Sequence, residues 1–314
     1  MAGLLILPVV ARAQSVRRVA IITGLAQSDP ATIARLDAFR RGMAAAGWHE
    51  GQNVVLDIRY DPSSAERARQ LGVELVALKP DVCVAQGLPS VAGVRAASAN
   101  LPMVFIGVPD PVTSGVVTSL ARPGGKTTGL TSNEPSFGAK WIEFLKEVAP
   151  ATKRMLVLSQ QSPAIYRASL LEAAQKFAIE LAYAQVNSEA EIQTAIDGFA
   201  TAGAGGGLIL PTDLFTAGRR RQIIALAAQH KLPLITGNPP FPADGGLMYY
   251  GADFIDLYRR AAGYVDRVLR GADPADLPVQ LPTAFQMAIN LKTAAALGLS
   301  VTPALRALAD EVYE

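Results

Sequence analysis

The sequence predicts an α/β protein of two lobes, each a doubly wound parallel sheet, joined by a hinge. Three observations carry this. Short apolar runs alternate with helical periodicity from Arg18 onward, in units of about thirty residues, the length of a strand plus its crossover helix. Leu101–Pro111, LPMVFIGVPDP, joins a run suited to burial on both faces (Met103–Ile106) to a break at Gly107 and a loop stiffened by Pro109, Asp110 and Pro111. The same pattern returns at Leu232–Pro240, LPLITGNPP, as two similar lobes require.

The elements follow in order. Val19–Thr23 reads as a buried strand ending at Gly24, and 31–46 as a helix with Ile33, Leu36, Phe39 and Met43 on one face and Gly47 as its stop. Strand 54–60, helix 66–78 ended by Pro80, strand 82–85 and helix 90–99 lead to the Leu101–Pro111 stretch. Thr131–Ser136 is polar and reads as a crossing strand or hinge. The cycle restarts with helix 139–148, strand 155–158, helix 164–179, strand 181–186, helix 189–202, strand 208–210, helix 219–229 and strand 234–236. Gly245–Gly251, GGLMYYG, reads as a crossing back. Phe254–Leu269 is a strongly amphipathic helix, Pro274, Pro278 and Pro282 mark an extended return, and Gln286–Ile289 is a last strand before a closing helix from Ala304.

Composition narrows the function classes. Half of the 314 residues are hydrophobic, enough for about two packed domains. A net charge of +2 gives no support for a nucleic-acid partner. The single cysteine, Cys83, excludes an intramolecular disulfide and a cysteine-based zinc cluster, and its apolar run makes it a core residue. At the N-terminus, Leu4–Val10 followed by Ala11–Arg12–Ala13 resembles the end of a secretory signal peptide, so 1–13 is read as its remnant.

In open α/β sheets, small ligands bind at the carboxyl ends of the strands. Two facing lobes therefore place Thr23–Ser28, Gln86–Ser90 and Gly107–Pro111 opposite Ser159–Ser162, Pro211–Phe215 and Gly237–Phe241, with a cleft between that closes by hinge motion. A carboxylate would sit at the helix N-termini near Ser90 or Ser162–Ala164. An ammonium would meet Asp110 or Asp213, which read equally well as a turn former and a helix cap. Thr23, Gln86, Gly87, Gly107, Asn133, Ser159, Thr212, Gly237 and Asn238 complete the polar candidates. Tyr166, Phe215, Phe241 and Tyr250 are candidates for an aromatic wall. No cofactor is called for. His49 and His230 read as surface residues, and HExxH, G-x-S-x-G and metal-ligand clusters do not occur. Gly125–Lys126–Thr127 lacks the spacing of a phosphate loop, and Gly203–Gly207 precedes its strand instead of following it.

The segments FRRGMAAAGWHEG (Phe39–Gly51), Gly107–Pro111, SLARPGG (Ser119–Gly125), Gly129–Leu130, Gly245–Gly251, Ala261–Lys292 and ADEVYE (Ala309–Glu314) together make the chain resemble the ABC-transporter substrate-binding proteins typified by the tryptophan- and tyrosine-associated lipoproteins. These have the type I periplasmic binding fold. The resemblance implies a periplasmic receptor that takes an amino acid or small aromatic or carboxylate compound and delivers it to a permease and its ATPase, acting as a monomer. The order of elements and crossings reads as lobes of 17–130 with 253–281 and of 131–252 with 282–314. Two features depart from the family. Ser159–Gln160–Gln161–Ser162 stands where members often carry an Asn-Pro loop, and no lipobox cysteine precedes Gln14, which favours a free protein over a lipid-anchored one. A ligand-sensing module of the same fold and a two-domain α/β enzyme are the rival readings.

Overall fold

The first lobe is built on five short strands, three of them buried along their whole length. The computed structural model describes residues 16–60 and 64–314, so the expected signal-peptide remnant at 1–13 lies outside the described residues. The chain runs through β1 (Arg17–Ile22), α1 (Pro30–Ala45), β2 (Val54–Arg59), α2 (Ala65–Ala77), β3 (Val82–Gln86), α3 (Gly87–Ala97), β4 (Met103–Ile106) and β5 (Thr127–Leu130). All five strands are parallel, in the order β2-β1-β3-β4-β5. The strand β5 escaped the sequence reading because Thr-Thr-Gly-Leu is not an apolar run. It works in the sheet because Gly129 lies against Phe105, whose ring carbon would stand 2.6 Å from any added Cβ.

Local chemistry sets the helix ends. Asp29 caps α1, its Oδ1 accepting from the Ala31 N–H at 2.9 Å, and Pro30 occupies the first turn where no N–H is needed. The face of α1 differs from expectation. Ile33 is 52% exposed, while Thr32 and Arg35 are buried alongside Leu36, Phe39 and Met43. The buried stripe is rotated so that a cation enters the interior. Helices α2 and α3 approach closely through Gly72 and Gly93, since a Cβ on either would collide with the other helix's backbone. Cys83 is fully buried beside them, and burial pushes its thiol up to about 12.

The second lobe continues with α4 (Phe137–Val148), β6 (Arg154–Ser159), α5 (Arg167–Lys176), β7 (Glu180–Gln185), α6 (Glu189–Thr201), β8 (Gly206–Leu210), α7 (Leu214–Gly218), α8 (Arg220–Gln229), β9 (Leu234–Thr236), β10 (Met248–Ala252), α9 (Phe254–Leu269), β11 (Phe285–Asn290), α10 (Leu291–Ala296), α11 (Pro303–Leu308) and β12 (Glu311–Tyr313). Its strands lie in the order β12-β11-β10-β9-β8-β6-β7. Two expectations are corrected here. Gly245–Gly251 does not merely cross back: Met248–Ala252 joins the sheet as β10, its Met248, Tyr249 and Ala252 buried. The chain also closes on a strand, β12, beside an antiparallel β10–β11 pair, so this sheet is mixed.

α9 leaves β10 and covers the first lobe. Its Leu257, Tyr258, Ala261 and Val265 share a core with Val19, Ile21 and Phe39. Gly42 of α1 lets it come near, with Ala262 directly opposite, and Trp48 Nε1 donates to Asp266 at 2.8 Å. The proline-marked return then runs beside β5, the Gln280 N–H donating to Gly129 O and the Thr131 N–H to Gln280 O. The chain thus passes between the sheets at 131–136, at Asp253 and just before Phe285.

Candidate ligand cleft between the lobes

Both sheets share one plan. Strands β2-β1-β3-β4-β5 and β7-β6-β8-β9-β10 have the same spatial order, which leaves a crevice beyond the carboxyl ends of the two central strands where the winding reverses. These are β1 and β3 in one lobe, β6 and β8 in the other. The two crevices face each other across a single cleft. Leu25 and Gln86–Pro89 come from the first, Gln160, Gln161 and Thr212–Leu214 from the second. The loops after β4 and β9 add Gly107, Pro109 and Asn238–Pro240, and Arg35 and Phe254 close one end. The space between the walls is about 600 Å3, counted out to open solvent.

Side chains from the second lobe touch the first. Leu214, at the start of α7, lies in a hollow formed by two glycines: a Cβ on Gly24 would stand 2.5 Å from its Cδ2, and one on Gly87 would collide with its Cδ1. Gly87 also has φ +75°, which lets α3 start directly from the end of β3. Arg220 of α8 bonds Asp29 Oδ2 at 2.7 Å across the cleft and Asp244 within its own lobe. All three side chains are largely buried. Burial alone would lower the Arg220 guanidinium, but Asp244 and Asp29 outweigh it and hold it above its ordinary value.

On the second lobe's wall, the polar groups are used in building the wall itself. The buried carboxylate of Asp213 accepts from the Thr216 N–H at 2.8 Å and the Gln160 N–H at 3.2 Å. Burial nevertheless raises its pKa above the ordinary carboxylate range, against those bonds. Asn238 Oδ1 accepts from the Asp213 N–H and its Nδ2 donates to Pro211 O, while Thr212 Oγ1 donates to Gly237 O. The first lobe's wall is different. Gln86 Oε1 accepts from the Gly24 N–H at 2.8 Å and from Tyr258 O–H at 2.6 Å, which fixes the amide and leaves Nε2 without a partner among the described residues. Arg35, 4% exposed, stacks its guanidinium on the Phe254 ring at 4.5 Å. Burial lowers its pKa, opposed by Tyr258, Tyr249 and Asp29.

Of the residues singled out in the sequence, the structure brings Gln86, Gly87, Gly107, Thr212, Asp213 and Asn238 to the cleft. The others lie elsewhere. Thr23 donates to Leu25 O and shapes the loop after β1. Ser90 is fully buried within α3, its Oγ without a partner among the described residues. Asp110 faces away, its Oδ1 accepting from the Thr113 N–H in a local turn, because the chain reverses between its prolines. Asn133 is buried in the 131–136 crossing. Ser159 Oγ donates to Gln161 O, and Ser162 is exposed. Gly237 lies behind Thr212. Tyr166 is in the second lobe's core, edge-on to Trp141 at 4.7 Å. Phe215 borders an adjoining groove under Arg219. Phe241 is a core residue too, and Tyr250 is half-buried against the second lobe's core. Phe254 is the only aromatic side chain on the cleft among the described residues. Arg35, Leu214, Gln160 and Gln161 are cleft residues that the sequence reading did not single out. The signal for Arg35 was present: it stands one turn before Phe39 on the face of α1 that also bears Leu36 and Met43.

Among the described residues, no cluster of three or more His, Cys, Asp or Glu is placed to hold a metal ion, and no helix is long and apolar enough to cross a membrane.

Comparison with known proteins agrees with this architecture. A tyrosine-binding protein of Clostridioides difficile is 27% identical over 271 residues, 84% of this chain and 77% of the relative. A crystal structure of a conserved domain protein from Vibrio cholerae superposes with a TM-score of 0.83 at 27% identity, over 95% of this chain and all of that one. A Streptococcus structure described as an ABC domain in complex with L-Trp superposes with a TM-score of 0.84 at 23% identity, with the same coverage. The fold is that of the type I periplasmic binding proteins. A family model described as ABC transporter substrate binding protein matches residues 18–313, and the chain belongs to that family.

Proposed function

We propose that this protein is the periplasmic receptor of an ABC importer. It captures a small amino acid or aromatic carboxylate between its lobes and presents it to a permease driven by an ATPase. The observation that carries the reading is the cleft itself. Two matching strand-end crevices face each other, and the contacts across them described above, Leu214 in its glycine hollow and Arg220 on Asp29, are made by side chains rather than by continuous backbone. Contacts of that kind separate and re-form as lobes rotate about short crossings. Gln86, Gly87, Gly107, Thr212, Asp213 and Asn238 are the ligand-facing residues in this proposal. The ligand class draws on the relatives, one named for tyrosine and one holding tryptophan. Export to the periplasm draws on the apolar run and Ala-x-Ala sequence of the first thirteen residues.

The test is a thermal-shift screen of the purified protein against amino acids, aromatic acids and small carboxylates, with recovery of each hit for mass spectrometry. At 100 times its dissociation constant a ligand stabilises the fold by about 2.7 kcal/mol, a shift of a few degrees. A chemically coherent set of hits, recovered unchanged, is the expected result. A hit recovered as a different compound would overturn the receptor reading in favour of an enzyme.

A further inference from the structure

We infer that Arg35 is the anion-binding residue of the cleft, and that the ligand carries a carboxylate which its guanidinium takes edge-on. This deepens the receptor reading and rests on it.

The argument begins with which polar groups in the cleft lack partners. On the second lobe Thr212, Asp213 and Asn238 are all engaged in their own loops. Gln160 and Gln161 of that lobe keep half-exposed side-chain amides at the rim, whereas the groups left over in the buried part belong to the first lobe, and they are donors. Arg35 makes no hydrogen bond and meets no carboxylate within ion-pair distance among the described residues, although it is 4% exposed. Gln86 Nε2 is a second donor without a partner. A third set is the first-turn N–H groups of α3, which has no side-chain cap and starts at Gly87 on the cleft wall. A buried cation with no carboxylate in direct contact costs free energy in the unliganded fold. Buried donors on one wall, facing Thr212, Asp213 and Asn238 whose acceptors are engaged on the other, specify a ligand that brings acceptor atoms and negative charge.

The stacking sets the geometry. With one face of the guanidinium on the Phe254 ring at 4.5 Å, its N–H fork lies in the plane of the group. A planar carboxylate can be met there by two parallel bonds. The neighbouring cation does not compete, because Arg220 already bridges Asp29 and Asp244. Arg35 also lies on the wall between this cleft and a second hollow bordered by Asp29 and Pro240. A ligand entering from either side therefore meets it.

The experiment uses the full chain and the variants Arg35→Gln and Arg35→Met. Calorimetric melting is measured without added ligand. Titrations are run with L-tyrosine and L-tryptophan and with their decarboxylated counterparts, tyramine and tryptamine. The expected result has two parts. Both variants melt at or above the wild-type temperature, since an unanswered buried charge has been removed. Acid binding weakens roughly 10- to 150-fold, while the amines bind wild type no better than the variants. Melting temperatures that fall by several degrees in both variants would make Arg35 a structural group and overturn the inference. So would equal binding of acids and amines by wild type, or unchanged acid binding by the variants, and either result would leave the receptor reading standing. If wild type binds none of the four probes, the aromatic amino-acid reading fails, and the melting temperatures alone decide the role of Arg35.

Discussion

Replacing Arg220 with Gln should part the lobes without unfolding them. Arg220 bonds Asp29 at 2.7 Å with only 13% and 7% of the two side chains exposed, so salt screens the pair weakly. Its gross attraction is of order 6 kcal/mol at an effective dielectric near 20, and desolvation cancels much of that. A charge-assisted hydrogen bond of this kind leaves a net of about 1.5–3 kcal/mol. Breaking a buried pair by removing one partner normally costs about 3–5 kcal/mol. Here Asp29 has an alternative, because it rehydrates as soon as the lobes separate. The loss therefore falls on the ratio of joined to parted lobes, at about 2 kcal/mol or roughly thirtyfold. A 90:10 mixture would become roughly 1:3. Small-angle scattering should show a larger radius of gyration for Arg220→Gln, with melting moved far less than a core substitution moves it. In a cycle with Asp29→Asn, the double variant should look like either single one. Scattering curves that superimpose on wild type, or effects that add to within about 0.3–0.5 kcal/mol, would refute the reasoning.

Three further outcomes are expected. Gly24→Val puts atoms where Leu214 sits; it should weaken ligand binding, and Leu214→Ala should restore much of it, whereas a double variant as weak as the single one would count against the contact. Asp213 takes up its proton at higher pH in the folded chain than in the unfolded one, because burial raises its pKa. Its contribution to stability therefore falls as pH rises from the ordinary carboxylate value through the raised one. Asp213→Asn keeps an Oδ1 for Thr216 and cannot ionise, so its melting temperature relative to wild type should climb as pH rises above about 4; a flat difference would contradict the assignment. Trp141 is fully buried, edge-on to Tyr166, and donates to Tyr250 O at 2.8 Å, so Trp141→Ala should cost about 3–5 kcal/mol in denaturant unfolding, and a loss under about 1 kcal/mol would place the ring outside the core.

Which parts of this were legible in the sequence follows from what each residue's neighbours in the chain reveal. Gln86, Asp213 and Asn238 were readable because each ends an apolar run, and strand ends in parallel sheets line the ligand edge. The loops after β1, β3, β6 and β8 were expected to face one another. The order of the strands is not written in the runs, however, so the sequence could not show that these four form the centre of the cleft while the loop bearing Asp110 turns aside. Arg35 was missed because an arginine in an amphipathic helix ordinarily lies on the solvent face. Only its pairing with Phe254, more than two hundred residues on, brings it inside. Leu214 was missed for the opposite reason. An apolar residue is assumed to serve its own lobe's core, and the hollow it enters belongs to the other lobe. The antiparallel β11 and the terminal β12 were hidden because pairing direction depends on the excursion through α9, which local periodicity does not reveal.

That excursion has a consequence for how the chain comes together during synthesis. Leu36, Phe39 and Met43 emerge early, but the helix that covers them, α9, begins only at Phe254. Until then one face of the first sheet has no roof. The strand before α9 and the strand after it are neighbours in the second sheet, as β10 and β11, so pairing those strands draws the covering helix into place. The lobe that is made first is thus completed only after most of the second has been made. A nascent chain shorter than about 290 residues would hold that apolar face open to chaperones.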